Sequence, residues 1–320
     1  MILVVALNPA LDVTHHVPGV DWSGVNRPGQ VWARPGGKGL NVARTLQVLG
    51  SETAVIGLAG GVTGDAVRAG LAEAGVPARF VSIAGETRRT FAVVDTARHE
   101  TALFNEPGPR VSAGEWAALI VMYEKSLAGS SAVVLSGSLP RGLAADSYAG
   151  LAARAAEAGV PAVLDAEGPA LLHGAAEGPA IIKPNLAELE RTLGRSLPEP
   201  GGAGQVDRPA IAEAARELMA VGARAVVVSL GSDGLLAVTG DGSWHAAPPG
   251  RVAGNPTGAG DAVVAGLAHG LAFGTPWPER LRQAAALGTA AAAAPAAGHF
   301  DPADYARALA GVTVARWADH

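Results

Sequence analysis

Short apolar runs punctuate the chain at Ile2–Leu7, Thr53–Leu58, Ala132–Leu135, Ala162–Leu164, Ala180–Ile182 and Ala225–Leu230. Most are continuous rather than alternating, the pattern of parallel strands buried on both faces. Helical stretches lie between them. Gly39–Leu49 ends at Gly50 and Thr63–Ala74 ends at Gly75, each glycine standing where a helix end favours a left-handed residue. Ser112 and Glu115 form an S-x-x-E capping box that opens a helix towards Leu127. Strands alternating with helices predict βαβ units, and hence an α/β fold with helices on both faces of a layered sheet.

Two segments break this rhythm. In 12–35, Val13, Val17, Val25 and Val31 are separated by Pro, Gly and polar residues. In 87–106, strand-like runs at Thr90–Val94 and Glu100–Phe104 flank a turn near Ala97. Both read as β-hairpins outside the main sheet, able to pair into a small sheet that covers a site or meets another subunit; the plainer alternative is two surface loops. Pro198–Pro209 is rich in Pro and Gly and reads as a mobile surface loop. The alanine-rich Gln283–Gly298 falls short of the ~20 residues of a membrane span and reads as a buried helix.

Composition narrows the function. The chain has 320 residues, 49% of them hydrophobic but only 4% aromatic, so its core is built of small side chains. The length suits one large α/β domain or two ordinary ones. The formal net charge of −5 offers no general basic face for nucleic acid. With no cysteine, disulfides, thiolate metal sites and cysteine nucleophiles are excluded. Asn8, Pro9 and Asp12 interrupt the first apolar run and no basic residue precedes it, so a soluble cytoplasmic protein is expected. Arginine outnumbers lysine 21 to three, which makes Lys38 and Lys183, each in a Gly- or Pro-marked apolar context, stand out.

The strongest chemical signal is the stretch from Asn255 to Ala262, with an apolar run directly behind it. Successive N–H groups of Gly258, Ala259 and Gly260 can converge at the positive end of a helix dipole and form an anion hole. Asp261 at its edge could accept a proton from a hydroxyl attacking phosphorus, or serve simply as a first-turn helix residue. A second signal is Pro35-Gly36-Gly37-Lys38-Gly39-Leu40-Asn41. Its glycines let a polyhydroxy ligand approach the backbone, Lys38 offers a point charge, and Asn41 both donates and accepts. Neither a Walker A loop nor a dinucleotide fingerprint is present; a Gly-rich turn with a surface lysine is the alternative. A third signal, Asn8 to Asp12, places a carboxylate at the carboxyl end of a strand, where open α/β sheets bind ligands; an Asx-turn would explain it too. Weaker signals follow later strands: Ser136-Gly137-Ser138, Lys183-Pro184-Asn185 with Glu188, and Ser229 to Gly234.

Together these motifs resemble the ribokinase-like (PfkB) carbohydrate kinases, in their 1-phosphofructokinase and tagatose-6-phosphate kinase branch. The likeness runs from Asn8 to about Ala294, anchored on GGKGLNVAR and TGAGDA. It implies a single domain over 1–320, a mainly parallel central sheet flanked by helices, and a β-sheet lid that often forms a dimer contact. It implies Asp261 as catalytic base, with Gly258, Ala259 and Gly260 as anion hole. Asp12, Gly36, Gly37, Asn41 and Ser138 would hold the sugar, with Lys38 near the sugar or its phosphate and Arg88 on that phosphate. Lys183, Asn185, Glu188, Ser229, Gly231 and Gly234 would serve the nucleotide. ATP would be the donor, with Mg²⁺ arriving on it near Glu188 and no direct set of protein ligands. Leu103 stands where a 6-phosphofructokinase relative carries a second phosphate-binding arginine, and Arg27 offers a replacement. The expected reaction is phosphorylation of a hexose phosphate, fructose 1-phosphate first. Fructose 6-phosphate, tagatose 6-phosphate, or an unphosphorylated sugar or nucleoside are the rival acceptors. A non-catalytic nucleotide or sugar sensor is the rival of another class.

Overall fold

Strand β1 (Ile2–Ala6) shows why the apolar runs are continuous. Leu3 and Val5 face one apolar layer, Ile2, Val4 and Ala6 the other, and all five are buried. A computed structural model describes residues 1–98, 100–197, 207–250, 257–294 and 297–317. After β1 come β2 (Ala10–Val17), β3 (Gln30–Gly36) and α1 (Lys38–Val48), then β4 (Thr53–Ala59), α2 (Gly61–Glu73) and β5 (Ala78–Ser82). β6 (Arg88–Asp95), β7 (Glu100–Asn105) and α3 (Ala113–Leu127) follow. The next units are β8 (Ala132–Ser136), α4 (Ser147–Glu157), β9 (Ala162–Asp165), α5 (Gly168–Ala176), β10 (Ile181–Ile182) and α6 (Leu186–Leu193). Then come α7 (Arg208–Val221), β11 (Ala225–Ser229), a 3₁₀ turn at Gly231–Asp233, β12 (Leu235–Thr239) and β13 (Gly242–Ala247). The chain finishes with α8 (Ala259–Ala272), α9 (Trp277–Ala293), α10 (Pro302–Gly311) and β14 (Thr313–Trp317).

The main sheet runs β14-β13-β12-β11-β10-β9-β8-β1-β4-β5. From β11 to β5 every pairing is parallel. Helices α3 to α7 cover one face, and α1, α2, α8, α9 and α10 the other. The connections step outwards in both directions from the β1–β8 junction. In an open α/β sheet that reversal opens a crevice beyond the carboxyl ends of the strands. Alanines and glycines let α8 and α9 pack closely: a Cβ on Gly266 would stand 2.7 Å from Cα of Ala284. This is the alanine-rich buried helix expected from the sequence.

The two hairpins form a separate sheet, β3-β2-β6-β7. β2 pairs antiparallel with β3, β6 antiparallel with β7, and β2 with β6 in parallel joins the hairpins. Only Gly37, at φ 88°, separates β3 of this lid from α1.

Several features were not anticipated. β12, β13 and β14 extend the sheet antiparallel, and β5 closes its other edge. Within the stretch read as a loop, Arg208 and Pro209 already belong to α7, capped by the Asp207 carboxylate on the Ala210 N–H. Proline suits a first helical turn because the N–H it lacks would have no partner there. Positions 198–206, and Asn255 and Pro256 of the glycine motif, lie outside the described residues. No helix among the described residues is long and apolar enough to cross a membrane.

Candidate active site

Asp261 lies in the first turn of α8, 7% exposed, just behind the glycine entry. Gly258 adopts φ 86°, and a Cβ there would stand 2.7 Å from that of Ala297, so only glycine fits. The first amides of α8 are thereby left without intrahelical partners at the positive end of the dipole. Burial, and then the charge of Asp165, push the Asp261 carboxyl up to about 7. The Nδ2 of Asn41, donating to Asp261 Oδ2 at 2.8 Å, and the ammoniums of Lys38 and Lys183 offset this only in part. A carboxyl balanced near neutrality is suited to take up a proton and release it.

Beside it sits an array of alternating charge. Asp165, at the end of β9 and 1% exposed, lies 3.5 Å from both Lys38 Nζ and Lys183 Nζ. Ser136 donates its hydroxyl to the other carboxylate oxygen at 3.1 Å. Burial alone would raise Asp165, but the two lysines and Ser136 outweigh it and hold the carboxyl below its usual range. Burial would likewise depress Lys38, yet Asp165, Glu188 and Asp261 keep its ammonium firmly charged. Glu188 accepts Lys38 on Oε1 at 3.0 Å and the Asn185 N–H on Oε2 at 2.8 Å. The Asn185 side chain in return accepts from the Glu188 N–H. The N-x-x-E spacing is thus also a capping box opening α6.

The lid supplies the other wall. Arg34, Asp12, Thr90 and Asn105 stand in register across β3, β2, β6 and β7, and all four face the crevice. Burial raises the Asp12 carboxyl, partly offset by a Thr90 hydrogen bond, the Arg88 charge and the Gly37 N–H. Gly36 leaves room for it: a Cβ there would collide with Asp12 Oδ2. Arg88 donates through Nε to the Asn8 carbonyl at 3.2 Å, and Asn8 Nδ2 donates to Ser138 Oγ at 3.0 Å.

All these groups border one cleft of about 1980 Å³. Pockets for one small ligand usually span ~300–1,000 Å³, so this one has room for two. Every residue expected at the site lines it except Gly36, which acts from behind Asp12. Ser229, Gly231 and Gly234 border it at the end of β11. Arg27 is exposed and lies outside the lining of this chain's cleft, whereas Leu103 lines it. The motifs missed Asp165, Arg34 and Arg141. Asp165 carried a usable signal, a carboxylate directly after an apolar strand, the same rule that selected Asp12.

A sheet with its crevice at the strand ends, a lid, and a buried carboxylate beside helix amides define a small-molecule phosphotransferase. The family of pfkB carbohydrate kinases matches residues 6–304, and the chain belongs to it. Among its relatives, a 1-phosphofructokinase from Rhodobacter capsulatus is 37% identical over 312 residues, 97% of this chain and 95% of that protein. The structure of phosphofructokinase-2 from Escherichia coli in complex with potassium superposes with a TM-score of 0.88 at 30% identity, covering 97% of this chain and 98% of the other. The same enzyme in complex with fructose-6-phosphate gives 0.84 at 30% identity, with the same coverage. The chain is a kinase that phosphorylates a sugar hydroxyl.

Proposed function

We propose that this kinase transfers the γ-phosphoryl group of ATP to the 6-hydroxyl of fructose 1-phosphate, in the cytoplasm, giving fructose 1,6-bisphosphate and ADP. The observation that carries this reading is the position of Asp261. It shares one cleft with Asp12 and Asn41 on the sugar side and with the first amides of α8 on the phosphate side. The relative from Rhodobacter capsulatus supports fructose 1-phosphate as the acceptor.

In this mechanism Asp12 and Ser138 accept and donate hydrogen bonds to the sugar hydroxyls, and Asn41 aligns the carboxylate of Asp261. Asp261 takes the proton of the attacking hydroxyl, whose oxygen bonds to phosphorus as the bond to ADP breaks. The N–H groups of Gly258, Ala259 and Gly260 face the oxygens of the transferring group. Lys183 and Lys38 complement the charge gathering on the leaving phosphates. Ser229, Gly231 and Gly234 border the nucleotide, and the lid excludes water as a rival acceptor.

Magnesium fits as an ion borne by the nucleotide. No group of three acidic or histidine side chains among the described residues could hold a metal. Both oxygens of Glu188 already accept one bond each, leaving lone pairs for metal-bound water. When bound, Mg²⁺ would neutralise part of the phosphate charge.

A coupled ADP-release assay across fructose 1-phosphate, fructose 6-phosphate, tagatose 6-phosphate and fructose tests the reading. The highest kcat/KM should fall on fructose 1-phosphate; a preference for another acceptor, or turnover with none, removes it. We also propose that two copies pair through the lid. Trp22, 67% exposed, reaches across to Phe104 with ring centroids 6.5 Å apart, and Val31 is exposed on β3 at the other edge of the lid sheet. Sedimentation should show a dimer for the native chain and a smaller species for Phe104→Glu.

A further inference from the structure

Several arginines on this molecule have carboxylate partners. Arg89 pairs with Glu106, Arg154 with Glu124 and Arg191 with Glu167. The three that line the cleft, Arg34, Arg88 and Arg141, have no ion pair among the described residues. Arg88 and Arg141 each donate through Nε to a main-chain carbonyl. Arg88 uses the Asn8 carbonyl at 3.2 Å, and Arg141 the Gly108 carbonyl at 2.8 Å. Such an anchor fixes the guanidinium plane and leaves the Nη groups uncommitted. The two anchors adjoin. A Cβ on Gly108 would stand 2.3 Å from Oδ1 of Asn8, an oxygen shut away from solvent with no hydrogen-bond partner. Asn8 also holds Ser138, three residues before Arg141.

One guanidinium therefore comes from lid strand β6 and the other from the loop behind β8, and their main-chain anchors adjoin at Asn8 on the sugar side of the cleft. Two fixed, unpaired guanidiniums on opposite walls suit a phosphate dianion, which accepts paired N–H donors from each. On the phosphosugar reading given above, we infer that Arg141 is a specificity-determining residue that grips the sugar phosphate together with Arg88. It provides from the body of the protein the second guanidinium that Leu103 cannot. Arg34 also faces the cleft, but it lies against Trp32, its guanidinium carbon 5.8 Å from the ring centroid.

The test is steady-state kinetics of Arg141→Met, Arg141→Lys and Arg34→Met with fructose 1-phosphate and ATP, alongside melting curves. In Arg141→Met the KM for fructose 1-phosphate should rise roughly 10- to 100-fold, the effect of losing a hydrogen-bonded charge on a bound anion. The Lys variant should recover part of that loss. kcat, the KM for ATP and Tm should stay near native. An unchanged sugar-phosphate KM in Arg141→Met overturns the inference. So does an equal rise in both KM values, which marks a merely structural role, or a shift confined to Arg34→Met. In any of these cases a native enzyme still active on fructose 1-phosphate leaves the proposed function standing. A native enzyme that accepts no sugar phosphate removes both.

Discussion

The Nδ2 of Asn41 donates to Oδ2 of Asp261 at 2.8 Å, tying α1 to α8 across 220 positions of sequence. The bond sets the direction of a carboxylate that burial balances near neutrality. It also brings the two glycine-rich motifs into a single site.

Asp261→Asn keeps the shape and the Asn41 contact but removes the proton acceptor. We expect kcat to fall roughly 10²- to 10⁴-fold, with KM for sugar and ATP little changed. Near-native kcat in single-turnover assays would take Asp261 out of the role.

The raised Asp261 carboxyl sets a pH dependence. Below about 7 the group is protonated and cannot accept the hydroxyl proton, so kcat/KM should fall about tenfold per pH unit on the acid side. It sets a stability dependence of the same origin. Between the ordinary carboxylate value of 3.8 and about 7, the unfolded chain has released a proton that the folded chain retains. Stability on this account declines as pH rises through that window. Asp261→Asn lacks the term, so its Tm should exceed the native value at about pH 8 and approach it at about pH 5. A constant difference at both pH values would contradict the assignment.

Asp165→Asn leaves Lys183, 3% exposed, without its carboxylate. Removing one member of a buried pair costs about 3–5 kcal/mol. Urea unfolding should show a loss of that order, and ATP turnover should fall with it as Lys38 and Lys183 lose their common anchor. Full stability would mean that the pair is water-bridged rather than direct.

Gly36→Ala should leave the fold intact but drive the Asp12 carboxylate away, because the new methyl would collide with it. The sugar KM should rise while the ATP KM holds. A crystal structure of the variant with Asp12 unmoved would refute this.

Much of this architecture could be read from the order of residues. Leu3 and Val5 pack against one helical layer while Ile2 and Val4 pack against the other, so every position in the strand must be apolar. The lid was visible as the absence of helical periodicity in two places. β13 and β14 escaped notice because strands with half-exposed faces carry little apolar signal. Asn185 and Glu188 show a different limit. The same atoms cap a helix and hold Lys38, and their spacing alone does not separate those uses. Asp165 belongs to no short motif, and the lysines it joins come from separate motifs, Lys38 lying 127 positions away in the chain. Arg141 carries no local signal, because its lack of an ion pair among the described residues and its anchor on the Gly108 carbonyl are properties of the fold.

With Gly37 as the sole joint between β3 and α1, any displacement of the lid by an arriving hexose passes within one residue to the helix that carries Lys38 and Asn41. The walls that face the two substrates thus share one joint.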